Sequence, residues 1–391
     1  MSTSLLAVIL AALAIAGFVV SIIATGFMVK FAPKIGLVDQ PGHRKIHHTP
    51  KPLGGGFGIA AGLVLPMLLG LGLVWLINAP AEPANLDGEF VFTEGFDQAN
   101  VVGLDVDAAL VRGAEQQAPL LGGFLLATLG MFLLGLVDDR KALGPFVKLG
   151  VQLAISTAFV ALFPDVRLLT VLGTPASIAI TVLWIAGVTN AFNFLDNMDG
   201  LSSGVAAVCT LVFLAASLFA GQLFIPATLA LFLGSLLGFL VWNFPPAKIF
   251  MGDSGSLLIG FVLGVLTART TYVPPGVDFE QSWYGVFVPL IVLAVPLYDM
   301  TVVSVIRIAN GKSPFVGDTN HFSHRLVRRG MSKRTAVLCI WLVTGATGLA
   351  ALLLPLVQSW LAAWLIVSQT LLILGVVFLL ERHPLPPTGR G

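Results

Sequence analysis

Apolar residues come in runs of about 20, one after another along nearly the whole chain, and a run of that length spans a bilayer as a helix. Eleven such runs are expected to cross, at 5–29, 54–78, 119–137, 146–164, 176–194, 201–219, 223–243, 255–272, 284–305, 336–356 and 360–380. No water reaches the backbone in hydrocarbon, so runs of this kind cross as helices whose amides bond internally. Composition agrees: 57% of the 391 residues are hydrophobic and 10% are charged, against roughly 25% in a soluble domain. A soluble globular enzyme, a disordered chain and a nucleic-acid binder are excluded. The expected fold is an all-α polytopic integral membrane helical bundle, a single domain over 1–391 set in a lipid bilayer. Cys209 and Cys339 both sit inside apolar runs, which reads as packing rather than a disulfide or a metal pair.

Loop charges give an orientation. The loop 30–53 carries Lys30, Lys34, Arg44, Lys45 and Lys51 against Asp39, and the loop 306–335 carries seven bases against Asp318. The loop 79–118 is the reverse, with eight acids and Arg112 as its one base. With the N-terminus outside, eleven spans put 18 of the 21 Lys and Arg on the cytoplasmic side, together with the C-terminus. Basic loops stay inside. The acidic loop 79–118 then forms an external cap.

An ionised carboxylate at a span centre costs about 2.5–3.5 kcal/mol, so acids near span ends need a reason. Setting aside Asp39, Asp299 and Glu381, the inside acids are Asp138, Asp139, Asp196, Asp199, Asp253 and Asp318, all on one predicted face. Independent helix capping accounts for one such acid more readily than for the set. Asp138-Asp139-Arg140-Lys141 closes the third span, with Lys148 nine residues after Asp139. Asn190, Asn193, Asp196 and Asp199 recur every three residues, so a helix continued through them would carry one polar stripe. Asp253 lies between Gly252 and Ser254-Gly255 just before the eighth span. There Asp253 or Ser254 would cap the helix, and the glycines would let a phosphate approach its N-terminus. A cluster of carboxylates and Asn without Cys suits a hard, oxygen-preferring cation such as Mg²⁺, with Mn²⁺ as the alternative.

His47 and His48 in the first loop, and His321 and His324 in the last, fall on the same face, among bases and prolines. With no Cys or third close His, zinc is not favoured at His321-Phe322-Ser323-His324. Phosphate or sugar contacts beside Arg325, Arg328 and Arg329 fit better. Asp299, inside the ninth span, is the exception to the one-face pattern, and Arg307 two turns on is its expected partner. A transporter would want polar groups near the midplane. This arrangement instead suits phosphoryl transfer between a charged cytosolic donor and a lipid acceptor.

Taken together, these segments resemble the polyprenyl-phosphate N-acetylhexosamine-1-phosphate transferase superfamily, glycosyltransferase family 4, in order from Asp39 to Leu326. Arg44-Lys45-Ile46-His47, Pro50 to Gly55 and an inside C-terminus resemble the undecaprenyl-phosphate GlcNAc-1-phosphate branch more than the phospho-MurNAc-pentapeptide branch, which is the alternative. The resemblance implies transfer of N-acetylhexosamine-1-phosphate, GlcNAc-1-phosphate first, from UDP-N-acetylhexosamine to undecaprenyl or decaprenyl phosphate. UMP would leave, and a cell-envelope polysaccharide would begin on the lipid at the inner membrane. Carried over by position, Asn193 and Asp253 would hold Mg²⁺. Asp138 and Asp139 would include the base or nucleophile for the lipid phosphate. Asp199 would contact uracil, with Asp196 beside it. Lys45 and Lys148 would meet phosphate, His321, His324 and Arg325 would meet diphosphate or sugar, and His47 and Asn190 would also bind substrate. A homodimer is compatible with all of this. The sequence departs from the family's pattern at Asn197, where Gly is usual, and at Ser323, where a further His is common; its 79–118 loop is also longer.

Overall fold

In the computed structural model the described residues are 2–40, 49–78, 108–270, 272, 283–315, 318–356 and 359–382. The first helix, α1 (Thr3–Phe31), starts at Ser2, whose hydroxyl accepts the Leu5 amide at 3.2 Å. Its buried residues, Leu10, Gly17, Ser21, Thr25 and Met28, form a single seam. The seam faces α2 (Gly56–Asn78) and, further along the chain, α7 (Phe224–Asn243). Helices in lipid gain no hydrophobic drive from meeting one another, so close backbone approach and cross-helix hydrogen bonds must hold them. A Cβ on Gly17 would lie 2.3 Å from the Leu231 carbonyl oxygen, and one on Gly234 would lie 1.9 Å from that of Ala14. Ser21 donates to the Ser235 carbonyl at 2.7 Å, Ser235 to that of Ile59 at 2.7 Å and Trp242 to that of Ile22 at 3.0 Å.

Between α1 and α2 a two-residue β1 (Val38–Asp39) pairs antiparallel with β2 (Lys51–Pro52). Lys45 and His47 lie outside the described residues, as does most of the acidic loop 79–118. Its last stretch is a correction to the expected external loop. α3 (Ala108–Arg140) is helical from 108 onward, so residues 108–118 continue the span outward. At 1.5 Å per residue it is about 50 Å long, well beyond a hydrocarbon core of about 30 Å. The stretch has no apolar stripe, but its Ala, Leu, Glu and Gln are strong helix formers.

The remaining helices are α4 (Pro145–Leu162), α5 (Thr174–Leu195), α6 (Leu201–Phe219), α8 (Asp253–Arg269), α9 (Val288–Val292), α10 (Ala294–Ala309), α11 (Phe322–Arg328), α12 (Lys333–Ala351) and α13 (Trp360–Arg382). Each expected run is largely helical among the described residues, but the ninth, 284–305, is a 3-10 turn followed by two α-helices rather than one continuous helix. Among the described residues nine helices are long and apolar enough to cross a membrane, or ten if the segment Tyr284–Val292 and α10, bent by 66°, form one broken span. The expected span at 255–272 is α8, which has 17 residues and is buried from Ser254 to Ala268. It is the central post of the bundle, packed by α3, α5 and α2. Gly260 lets it press on α5, where a Cβ would meet the Thr189 Cα at 2.4 Å. Cys209 and Cys339 are both free, as the sequence suggests, and Cys209 is buried.

Candidate active site

Four helix ends meet at one end of the bundle: the C-termini of α3 and α5 and the N-termini of α4 and α8. Each carries a polar residue singled out by the sequence. The amides at the start of α8 need acceptors, but neither Asp253 nor Ser254 supplies one as an N-cap side chain. The N-cap is Gly252 at φ 75°, without a side chain. Asp139 does the capping from α3, its Oδ1 accepting the Asp253 N–H at 2.7 Å and its Oδ2 the Ser254 N–H at 3.1 Å. Glycine is required at 252 twice over. The positive φ favours it, and a Cβ would stand 2.5 Å from Asp139 Oδ2. Gly135, one turn before Asp139, lets α3 pass, since a Cβ there would meet the Asp253 carbonyl oxygen at 2.3 Å.

Lys148, on the first turn of α4, is the hub. Its ammonium donates to Asp138 Oδ2 at 3.2 Å, to Asn193 Oδ1 at 3.4 Å and to Asp253 Oδ2. Asn193 donates in turn to Asp253 Oδ1 at 3.0 Å and to Ser256 Oγ at 2.9 Å. The second oxygen of Asp138 accepts the Leu143 N–H at 2.6 Å, which fixes the turn between α3 and α4. Three oxygens from three helices thus point at one cationic centre.

The stripe expected along α5 is only half formed. α5 ends at Leu195, Asp196 is its C-cap, and Asp196 and Asp199 sit in the turn that leads to α6. Asn190 stays on the helix and faces α4, donating to Gln152 Oε1 at 2.7 Å. Asp196 is partly buried beside the hub. Loss of water, then the like charges of Asp253, Asp139 and Asp199, push its carboxyl well above the ordinary carboxylate range. Asp199 accepts the Ala247 N–H at 3.0 Å, and Lys51 donates to the Ala247 carbonyl at 2.9 Å. Those two bonds brace the segment between α7 and α8 from opposite sides. Asn243 reinforces it, accepting the Gly200 N–H at 2.9 Å and donating to the Ile249 carbonyl at 2.9 Å. The sequence reading missed Asn243, whose only signal is an amide at the end of an apolar run.

The histidine segment docks next to this cluster. Asp299 does not meet Arg307 directly; His321 stands between them. The His321 Nδ1 is 2.8 Å from Asp299 Oδ2, and its Nε2 is 3.4 Å from an Arg307 Nη. A carboxylate needs a donor, so Nδ1 carries the proton and Nε2 accepts from Arg307. Asp299 Oδ1 takes the Phe322 N–H at 2.6 Å, at the start of α11. Arg307 also reaches the Pro314 carbonyl at 2.6 Å and Asp318 at 3.1 Å, and it stacks 5.1 Å over the Phe194 ring. Ser323 donates to Asn197, which ties α11 to the α5–α6 turn. Arg325 points away from the cluster, its Nε donating to Glu381 at 2.6 Å. Among the described residues His324 has no comparable partner; it is partly buried and edge-on to His321 at 6.2 Å. Burial, then the neighbouring His321 and Arg328, push its imidazole down to about 4.

Among the described residues no three His, Cys, Asp or Glu side chains gather closely enough to hold a metal by themselves. The donors that do converge, Asp138, Asp253 and the Asn193 amide oxygen, are all oxygen and already surround a cation, the Lys148 ammonium. That set fits Mg²⁺, which typically takes one or two carboxylates and completes its shell with water and substrate phosphates.

The sequence model of the family described as glycosyl transferase family 4 matches residues 121–271, a stretch that holds the whole cluster from Asp138 to Asp253. A Bacillus subtilis protein described as a probable undecaprenyl-phosphate N-acetylglucosaminyl 1-phosphate transferase is 30% identical over 364 residues, covering 90% of this chain and 88% of its own length. The chain belongs to glycosyl transferase family 4. Membership extends well beyond the matched block. The decaprenyl-phosphate N-acetylglucosaminephosphotransferase of Mycobacterium tuberculosis is 33% identical over 369 residues, 87% of this chain and 81% of that one. The undecaprenyl-phosphate alpha-N-acetylglucosaminyl 1-phosphate transferase of Escherichia coli is 28% identical over 322 residues, 81% of this chain and 76% of that one. In a family 4 chain the helix-end cluster is the candidate active site.

Proposed function

We propose that this chain transfers GlcNAc-1-phosphate from UDP-GlcNAc to a polyprenyl phosphate in a bacterial inner membrane, with the cluster at the cytoplasmic face. The supporting observation is the convergence of Asp138, Asn193 and Asp253 on Lys148 at one end of an apolar bundle. A charged donor can reach that end from water, while a prenyl chain stays in lipid beside it. The relatives' names supply the sugar and the acceptor class. The basic bias of the loops supplies the orientation.

The reaction joins an oxygen of the lipid phosphate to the sugar-bearing phosphorus of the donor. The bond between the two donor phosphoryl groups breaks, and UMP leaves with the electron pair. Bound Mg²⁺ would neutralise charge on the donor diphosphate, held by Asn193 and Asp253. The rest falls to the chain's own groups. Asp138, tied to Lys148 and to the Leu143 amide, faces the cluster and acts as the base that takes the proton from the lipid phosphate oxygen. Lys148 offsets phosphate charge once substrate separates it from the carboxylates. Asp139 is engaged in capping α8, so it holds Asp253 in place rather than reacting. Asp196 and Asp199 lie on the turn beside the cluster, where a uracil would bind, and His324 is the histidine free to meet diphosphate or sugar. Catalysis of this kind rests on positioning and electrostatic stabilisation.

The test is purified protein with Mg²⁺, undecaprenyl phosphate and a panel of UDP-sugars, following UMP release and lipid product mass. UMP formed only with the lipid and UDP-GlcNAc supports the reading. Folded protein that releases no UMP with any UDP-N-acetylhexosamine sinks it.

A further inference from the structure

Glu381 has no part in the chemistry above, yet among the described residues it is one of the most deeply buried carboxylates, its side chain 2% exposed near the end of the last span. Ionisable groups in such places are rare and call for a functional account. Its Oε2 accepts from Arg325 Nε at 2.6 Å, and the Tyr298 hydroxyl on α10 is 3.5 Å away. Its backbone carbonyl accepts from Arg329 through Nε at 3.0 Å and Nη2 at 2.6 Å. Arg325 lies on α11 and Arg329 is its C-cap. The end of α13 therefore grips the helix that carries Ser323 and His324. At its other end the same helix is held by Asp299, through the Phe322 amide and His321. α11 is only seven residues long, too short to hold a position by itself. Its place beside the acid cluster depends on what grips it.

We infer that Glu381 is a positioning residue for the sugar-phosphate transfer, acting through Arg325 to hold the histidine helix against the carboxylate cluster. The inference rests on the function proposed above. It makes the last span a strut for the active site, although none of the cluster residues lies on it. Arg325 then acts from behind the histidines rather than on substrate.

The test measures UMP release by wild type, Glu381→Gln, Arg325→Gln and the double variant, beside thermal unfolding of each in detergent. The expected result is a fall of tenfold or more in kcat for Glu381→Gln, with the KM for polyprenyl phosphate within twofold of wild type. The double variant should be no slower than Arg325→Gln alone, because both substitutions cut one linkage. Should Glu381→Gln fail to fold, Arg325→Lys serves instead; it keeps the charge, loses the Nε donor, and is expected to show the same loss of kcat. Wild-type turnover in Glu381→Gln, or in a folded Arg325→Lys, overturns the inference and leaves the proposed function standing. So do losses that multiply in the double variant. A folded wild type that releases no UMP overturns the function, and the inference falls with it.

Discussion

The carboxylate of Asp139 accepts the backbone N–H of Asp253 at 2.7 Å and that of Ser254 at 3.1 Å, so the acid at the end of α3 seats the N-terminus of α8. Its neighbour Asp138 touches Lys148 and the Leu143 amide instead. Two adjacent and chemically identical residues thus have separate tasks. Asp139→Ala leaves two partly buried amides without an acceptor, at about 1–3 kcal/mol each, and both stability and turnover should fall. Asp138→Asn keeps an oxygen for Leu143 and breaks one partly exposed ion pair of Lys148, which keeps Asp253. It should cost about 1 kcal/mol, less than Asp139→Ala, while losing most of its activity. Thermal unfolding and UMP release measured on both proteins check this. Equal melting temperatures for the two variants would contradict the division.

Lys148 holds apart groups that would otherwise repel. Lys148→Met leaves Asp138 and Asp253 facing each other uncompensated. Because these ion pairs are only partly buried, the loss should fall below about 3–5 kcal/mol, the cost of breaking a fully buried pair from one side. A divalent cation can take over the vacated centre, since anything that binds only the folded state stabilises it by mass action. The variant should therefore melt lower than wild type in chelator and gain more from added Mg²⁺. Titrating Mg²⁺ against the melting temperature of both proteins checks this, and an identical gain in the two would place the cation elsewhere.

The scaffold was legible in the sequence because hydrocarbon forces it: an apolar run of bilayer length has few options but a helix. Among the described residues, though, nine or ten helices rather than eleven are long and apolar enough to cross, and the run at 284–305 is broken by a 66° bend. What the sequence obscured lies where local signals compete. Residues 108–118 carry no apolar stripe, so periodicity left them in a loop, while their helix propensity extends α3 through them. The three-residue spacing of Asn190, Asn193, Asp196 and Asp199 suggested one helix, but α5 stops at Leu195; Asp196 caps its end beside the cluster, and Asp199 turns away to brace Ala247. Membership of the cluster was legible because carboxylates near lipid are costly. The pairing within it was not, because Asp139 meets Asp253 across 114 residues, and nothing local marks such a contact. The same holds for Asp299, whose near neighbour on the helix, Arg307, proved to be separated from it by His321.

His324 makes the fold sensitive to mild acid. Its imidazole is held down to about 4 from an ordinary 6.5 by burial, His321, Arg328 and Lys333, with Asp299 opposing them. The unfolded chain then binds a proton between those values that the folded chain refuses, so the stabilising contribution is complete above about pH 6.5 and is lost as the pH falls toward 4. His324→Gln has no proton to bind in either state. Its unfolding free energy should change less than that of wild type between pH 7 and 4.5, which denaturant titration at several pH values reads directly. Parallel curves for the two proteins would mean that His324 titrates normally.

Asn197 and Ser323 lie 126 residues apart in sequence and meet in space. Asn197 donates to the Phe194 carbonyl at 2.8 Å and offers its own oxygen to the Ser323 hydroxyl, so one amide ties the end of α5 to α11. Ser323 is buried, and among the described residues its hydroxyl loses its hydrogen-bond partner if Asn197 becomes Gly. A buried hydroxyl without a partner costs more than the bond itself contributed, and removing both ends is milder than removing one. Asn197→Gly and Ser323→Ala should each lower stability by about 1 kcal/mol and slow UMP release. The double variant should lose clearly less than the two single losses summed, as expected for residues in contact. A thermodynamic cycle over the four proteins, run in parallel on unfolding and on kcat, measures that coupling. Strict additivity in both would show that the two substitutions act independently, and that the turn and the histidine helix are joined by other contacts alone.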